Sequence, residues 1–183
     1  DLSKIKPNPH QPRKDFDEEK LNELAETILQ YGVLQPVIVQ KTPQGYILVT
    51  GERRYRAALR SGLQTIPALI REYDTRQIME IALVENLQRE DLNPLEEATA
   101  YKKLLEEFNY LQEDLAQKLG RSRAAIANTV RLLALDKKVQ NYLTEGSLTA
   151  GQARPLLALS SASEQRVFAA KIIKEKLSVR QVE

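Results

Sequence analysis

Tyr46-Ile47-Leu48-Val49-Thr50-Gly51-Glu52-Arg53-Arg54-Tyr55-Arg56 decides how this chain folds. An apolar, strand-like run ends at one glycine, and a charged segment with helical spacing starts directly behind it. Glycine at such a junction admits positive φ and lets the backbone approach a ligand closely. The first amides of the new helix have no intrahelical partner, and the helix dipole makes that end positive. Both features favour an anion. Arg53, Arg54 and Arg56 crowd the same turn, which concentrates positive charge where a phosphate would sit. A solvated basic helix face would give the same local pattern, so the rest of the sequence has to choose between the two.

Working outward, Thr42-Pro43-Gln44-Gly45 reads as a hairpin turn joining the strand Tyr46 to Thr50 to a partner over Pro36 to Gln40. Asp17 is placed to cap a helix reaching about Tyr31, with Leu21, Leu24, Ala25 and Ile28 on one face and Gly32 as its stop. Before it, Pro7-Asn8-Pro9-His10-Gln11-Pro12-Arg13 holds three prolines within six residues, which enforces an extended or turning backbone. The arginine-rich helix ends at Gly62, and Ile66 to Glu72 is strand-like. Residues 1–74 therefore read as an α+β unit. From Thr75 the pattern is helical throughout: 75–88, 94–108 with Pro94 in its first turn, then 112–119, 123–134, 137–145, 150–159 and 163–176. The expected organisation is an α+β domain over 1–74, connecting helices over 75–110 and an all-α domain over 111–183.

Composition narrows the function classes. The 183 residues are 42% hydrophobic and 28% charged, which describes a globular chain with a real core. No apolar run approaches the length of a membrane span, and no signal peptide is visible. The absence of cysteine removes disulfides, thiolate metal sites and cysteine nucleophiles together, and a cytosolic address fits. The chain starts at Asp1 rather than Met, and Glu183 falls inside a helical pattern, so it reads as a fragment without its tails. The net charge of +2 conceals a strong segregation. Gly51 to Arg60 holds four Arg against one Glu, Arg71 to Glu107 ten acidic residues against five basic, and Gln112 to Lys138 six basic against three acidic. Two anion-binding surfaces separated by an acidic helical zone are expected.

The second basic segment, Gln112 to Leu133, has the layout of a helix-turn-helix. Ala116 is the small residue at the helix crossing, Gly120 makes the turn, Ser122 caps the second helix, and Ile126, Val130 and Leu133 pack inward. Gln112 opens the first helix, while Arg121, Ser122, Arg123, Ala124, Asn128, Thr129 and Arg131 are left for a major groove. Arg123, at the start of the recognition helix, suits a bidentate contact with guanine; Arg121 and Arg131 suit phosphates. One such motif reads a short half-site, so a palindrome and a symmetric dimer are expected.

Three further elements precede this motif in order: Gln11-Pro12-Arg13, Gly51-Glu52-Arg53-Arg54-Tyr55-Arg56 and Glu85-Asn86-Leu87-Gln88-Arg89. Together with Leu92-Asn93-Pro94-Leu95-Glu96-Glu97-Ala98 and Ser122-Arg123-Ala124-Ala125-Ile126-Ala127-Asn128, they closely resemble the ParB family of chromosome and plasmid partition proteins, over essentially the whole chain. The resemblance implies an α+β nucleotide-binding domain of the ParB and sulfiredoxin-like kind, followed by an all-α helix-turn-helix DNA-binding domain. It implies a DNA clamp switched by cytidine triphosphate (CTP). By this resemblance Thr50, Gly51 and the following amides, with Arg53, Arg54 and Arg56, hold the triphosphate. Gln11 and Arg13 close over it, and Glu85 and Asn86 help hold Mg²⁺. Glu52 is the candidate for orienting the attacking water of a slow CTP hydrolase, against the plainer reading of an acid that complements the helix dipole.

The implied function is chromosome partition: loading at a centromere-like palindrome, then passing between open and closed sliding states. A nucleoid-occlusion paralogue and a plasmid-type transcriptional repressor are alternatives within the family; Arg123, Thr129, Ala134 and Gly151 look more like the partition branch. The implied partners are double-stranded DNA, a second copy of the chain, a partition ATPase engaging an N-terminal tail, and SMC condensin. The implied location is the nucleoid in a bacterial cytoplasm, without membrane contact by this fragment. The N-terminal fold also resembles sulfiredoxin, an ATP-using enzyme whose chemistry needs a cysteine absent here. In Thr149-Ala150-Gly151-Gln152-Ala153-Arg154, relatives carry Gly-His-Ala-Arg; Gln152 replaces the histidine, leaving Gly151 a backbone role and Arg154 a DNA role. His10, the single histidine, cannot anchor a conventional zinc site without cysteine partners.

Overall fold

The computed structural model describes residues 1–8, 17–88 and 92–182. They form two compact units, Asp1–Asn86 and Leu87–Glu183.

In the first unit, strands β1 (Ile5–Lys6), β2 (Val37–Thr42), β3 (Gly45–Thr50) and β4 (Ala68–Ile70) make a sheet of order β1-β3-β2-β4. β2 and β3 are the antiparallel hairpin that the sequence predicts, with Thr42 paired to Gly45, so that only Pro43 and Gln44 form the turn. β1 runs parallel to β3 and β4 parallel to β2. β1 follows a 3-10 turn at Leu2–Lys4 and was not anticipated, because two residues show no period; its pairing with β3 creates it. Helices α1 (Glu18–Tyr31), α2 (Glu52–Arg60) and α3 (Thr75–Leu87) complete the unit. Asp17 caps α1 by accepting from the Glu19 and Lys20 amides, and Gly32 ends it, as expected. Leu21, Ala25 and Ile28 of α1 meet Tyr55, Ala57 and Ala58 of α2 over Val37, Val39 and Leu48 of the sheet. At the edge of that contact, Arg60 donates to Glu18 (2.7 Å) and Asn22 (2.6 Å), and Ser61 donates to the Ala25 carbonyl. α2 is therefore fixed to both α1 and the sheet.

The second unit is helical: α4 (Pro94–Glu106), α5 (Gln112–Leu119), α6 (Arg123–Arg131), α7 (Lys137–Thr144), α8 (Ala150–Ala153), α9 (Ala162–Glu175) and α10 (Val179–Val182). α4 opens with a capping box between Asn93 and Glu96, with Pro94 in the first turn. It contributes buried Ala98, Tyr101 and Leu104 and packs on α6. The boundary between units thus divides the expected connecting segment 75–110: α3 falls with the first unit and α4 with the second. Two expected helices are shorter than their periodicity suggested. α6 gives way to a 3-10 turn at Leu132–Ala134, whose tighter winding puts Leu132, rather than Leu133, in the core. α8 passes into a 3-10 turn at Arg154–Ala158, because Pro155 has no amide to continue the α-helical bonding. Leu135, Val139, Leu143, Leu148, Leu156, Ala169 and Ile172 fill the core between α7, α8 and α9.

Candidate nucleotide cradle and nucleic-acid interface

Gly51 joins β3 to α2 in the left-handed region, at φ 99° and ψ 28°. A Cβ here would lie 2.8 Å from Val37 Cγ1, so both conformation and space require glycine. Gly51 is also the N-cap of α2 and has no side chain with which to cap it. The first α2 amides are consequently not satisfied from their own cap, and the backbone bond Tyr55 N to Gly51 O (3.0 Å) starts the helix. The Tyr55 hydroxyl, buried under the helix, donates to the Ile5 carbonyl (2.8 Å), and this burial raises its pKa.

The four arginines of this segment have different tasks. Arg53 is exposed. Arg54 Nη1 donates to the carbonyls of Gln35 and Pro36, both at 2.8 Å, which anchors the entry to β2 and holds the guanidinium near the helix start. Arg56 Nε donates to Glu52 Oε1 at 2.7 Å. Arg60 belongs to the contact with α1 instead. Glu52 is only 4% exposed, and its Oε2 is buried with no hydrogen-bond partner. A buried carboxylate oxygen without a donor is costly, so the site behind Gly51 holds an unused acceptor. Thr50, half-buried, closes β3 beside it. Glu85 and Asn86 lie in the last turn of α3, within the same unit, and each already has an interaction partner. Gln11, Arg13, His10 and Arg89 lie outside the described residues.

Among the described residues no group of three or more His, Cys, Asp or Glu could hold a metal ion alone. Glu85 and Asn86 supply the hard oxygen donors that Mg²⁺ takes, but too few for a cage. That donor set fits an ion bound mainly by phosphate and water.

In the second unit, Gly120 ends α5 at φ 64° and ψ 31°, and Ser122 Oγ accepts from the Ala125 amide at 3.1 Å to start α6. Leu115, Ala116 and Ile126 are buried at the crossing of the two helices. Arg121, Ser122, Arg123, Ala124 and Arg131 are exposed, while Gln112, Asn128 and Thr129 are partly buried. Asn128 and Thr129, with Ala125 and Leu132, form one wall of a groove of about 220 Å³; Ala150, Gly151 and Arg154 form the other. The structure thereby brings Gly151 and Arg154 beside the recognition helix, some twenty residues upstream of them. Ala125 and Ala150 also line the groove and were not singled out in the sequence; only their small size, which leaves the groove open, could have pointed to them.

Both stretches of the chain match known protein families. Residues 1–87 fit the ParB N-terminal domain, and residues 90–183 fit the ParB HTH domain. The chain belongs to the ParB family. It is 51% identical to the stage 0 sporulation protein J of Bacillus subtilis, matching all of this chain and 64% of that protein. It is 50% identical to the chromosome-partitioning protein ParB of Caulobacter vibrioides, over 96% of this chain and 58% of the relative. The chain thus spans about three-fifths of the length of such ParB relatives. Among solved structures, truncated Caulobacter crescentus ParB complexed to the centromeric parS site is 46% identical, with a TM-score of 0.87 covering 100% of this chain and 94% of that one. No helix among the described residues is long and apolar enough to cross a membrane.

Proposed function

We propose that this chain is the nucleotide- and DNA-binding portion of a bacterial chromosome-partition protein that binds a centromere-like palindrome as a homodimer and is switched by CTP. The observation that carries the reading is the groove of the second unit, where Asn128 and Thr129 of α6 face Gly151 of α8 and Arg154, which begins the 3-10 turn after it. An exposed arginine at the N-terminus of α6, Arg123, supplies the guanine-reading group, and Arg121 and Arg131 supply phosphate contacts whose contribution fades with salt.

For the nucleotide, the α2 amides behind Gly51, together with Arg53, Arg54 and Arg56, form the cradle, and Thr50 lines its edge. Gln11 and Arg13 close over the bound phosphates, and Glu85 and Asn86 hold Mg²⁺, which when bound neutralises phosphate charge. Glu52, its Oε1 held by Arg56 and its Oε2 unpaired, orients a water for slow hydrolysis. Hydrolysis then resets the clamp.

The partition branch is favoured over nucleoid occlusion because the chromosome-partitioning protein Spo0J of Thermus thermophilus reaches 51% identity, whereas the nucleoid occlusion protein of Shouchella clausii stands at 45%. Two titrations test the proposal. With Mg²⁺ present, CTP is expected to bind well ahead of ATP, GTP and UTP; equal affinity for all four refutes the nucleotide assignment. A parS duplex is expected to bind ahead of a scrambled duplex, and equal binding refutes the DNA assignment.

A further inference from the structure

The side chain of Gln152, the neighbour of the groove residue Gly151, is bonded at both the oxygen and the nitrogen of its amide. Its Oε1 accepts from the Thr149 amide (2.9 Å) and the Thr149 hydroxyl (2.8 Å), while the Thr149 hydroxyl accepts from the Gln152 amide (3.3 Å). This reciprocal cap starts α8, whose four residues are too few to hold themselves in place. At the other end of the same amide, Nε2 donates to the Leu177 carbonyl at 2.7 Å, in the connection between α9 and α10. The next residue on α8's other side is equally constrained: a Cβ on Gly151 would lie 3.1 Å from Val179 Cγ2 of α10. One planar amide therefore joins the cap of α8 to the last helices of the unit. Of the groove wall facing Asn128 and Thr129, Gly151 lies on that short helix and Arg154 is its C-cap, at the start of the 3-10 turn that follows.

We propose that Gln152 is a positioning residue for DNA recognition, fixing the Gly151–Arg154 wall of the groove against α6 through its bonds to Thr149 and Leu177. The function needs an acceptor and a donor side by side on one side chain, which the amide of glutamine supplies. Loss of either bond leaves the other end of α8 free to shift, and base-edge contacts fail before phosphate contacts do, because only the former depend on sub-ångström placement. The inference rests on the DNA-binding reading above.

The test measures binding of the whole chain to a parS duplex and to a scrambled duplex of equal length, by fluorescence anisotropy at fixed salt. Gln152→Leu removes all three side-chain bonds without adding charge, and Gln152→Asn keeps the amide but shortens its reach. Both are expected to lower the parS-to-scrambled affinity ratio about tenfold, with scrambled binding nearly unchanged. Gln152→His, measured at pH 8 where the ring is neutral with one donor and one acceptor nitrogen, is expected to restore most of the ratio. Wild-type ratios from both variants, or equal loss on the two duplexes, overturn the positioning role. A wild-type chain with no preference for parS overturns the DNA-binding reading itself, so the two failures are distinct.

Discussion

Replacing Gly51 by alanine tests the junction on which the first unit turns. The new Cβ meets Val37 Cγ1 at 2.8 Å and Val37 Cβ at 3.2 Å, and the backbone at φ 99° disfavours any L side chain. Left-handed conformation costs about 1 to 2 kcal/mol, and overpacking a full core about 1 to 3 kcal/mol. Together these predict a loss of about 2 to 5 kcal/mol, a large share of the roughly 5 to 15 kcal/mol that holds a typical domain. Urea titration of the full chain, followed by amide exchange of β2 and β3, reads the first unit separately from the second. The two contributions separate in a Val37→Ala background, where the obstructing Cγ1 is gone. There the alanine at 51 should cost less by about 1 to 3 kcal/mol, leaving mainly the conformational part. An undiminished cost in that background would refute the steric argument. A Gly51→Ala loss below about 0.5 kcal/mol would refute the whole account of the junction.

Three further outcomes follow from the same geometry. Glu52→Gln keeps a side chain of the same shape but removes the carboxylate that pairs with Arg56; CTP binding should persist while hydrolysis falls at least tenfold, and unchanged turnover would leave Glu52 a helix-start acid only. Arg123→Ala should cost about 1 to 3 kcal/mol on parS and much less on scrambled DNA; an equal loss on both would make Arg123 a phosphate contact. The Lys20 and Glu19 amides hold the Asp17 carboxyl below its ordinary pKa, the Lys20 bond being the largest cause. Its contribution to stability is therefore present above the unfolded carboxyl range and lost as pH falls through the depressed value, so thermal midpoints of Asp17→Asn should decline less steeply than wild type below about pH 4.

Much of the fold could be read without coordinates, for physical reasons that differ by element. α1, α2, α5 and α9 are long enough to show a 3.6-residue period; Asp17 and Ser161 cap α1 and α9, and glycines mark the stops after α1, α2 and α5, so local sequence alone set their place. The β2–β3 hairpin announced itself through a Pro-Gln turn between apolar runs. β1 was invisible, because two residues have no period and exist as a strand only by pairing with β3, while α10 showed only as a helical pattern around Glu183 without bounds. The shortening of α6 and α8 was likewise beyond periodicity: the apolar spacing continues through both 3-10 turns.

The sequence by itself determined the chemistry: a glycine before a basic helix start, a helix-turn-helix with an arginine behind its turn, and no cysteine. These are properties of residue type and short spacing, and need no tertiary context. Only the tertiary structure assigned the individual tasks. It set Arg54 on the Gln35 and Pro36 carbonyls, gave Arg60 to α1, buried Glu52 with one oxygen paired and the other not, and placed Gly151 and Arg154 across a groove from α6. The reason is distance. Residues that lie many positions apart meet only when the core closes, and which end of a long polar side chain finds a partner is decided by what that closure brings within about 3 Å of it.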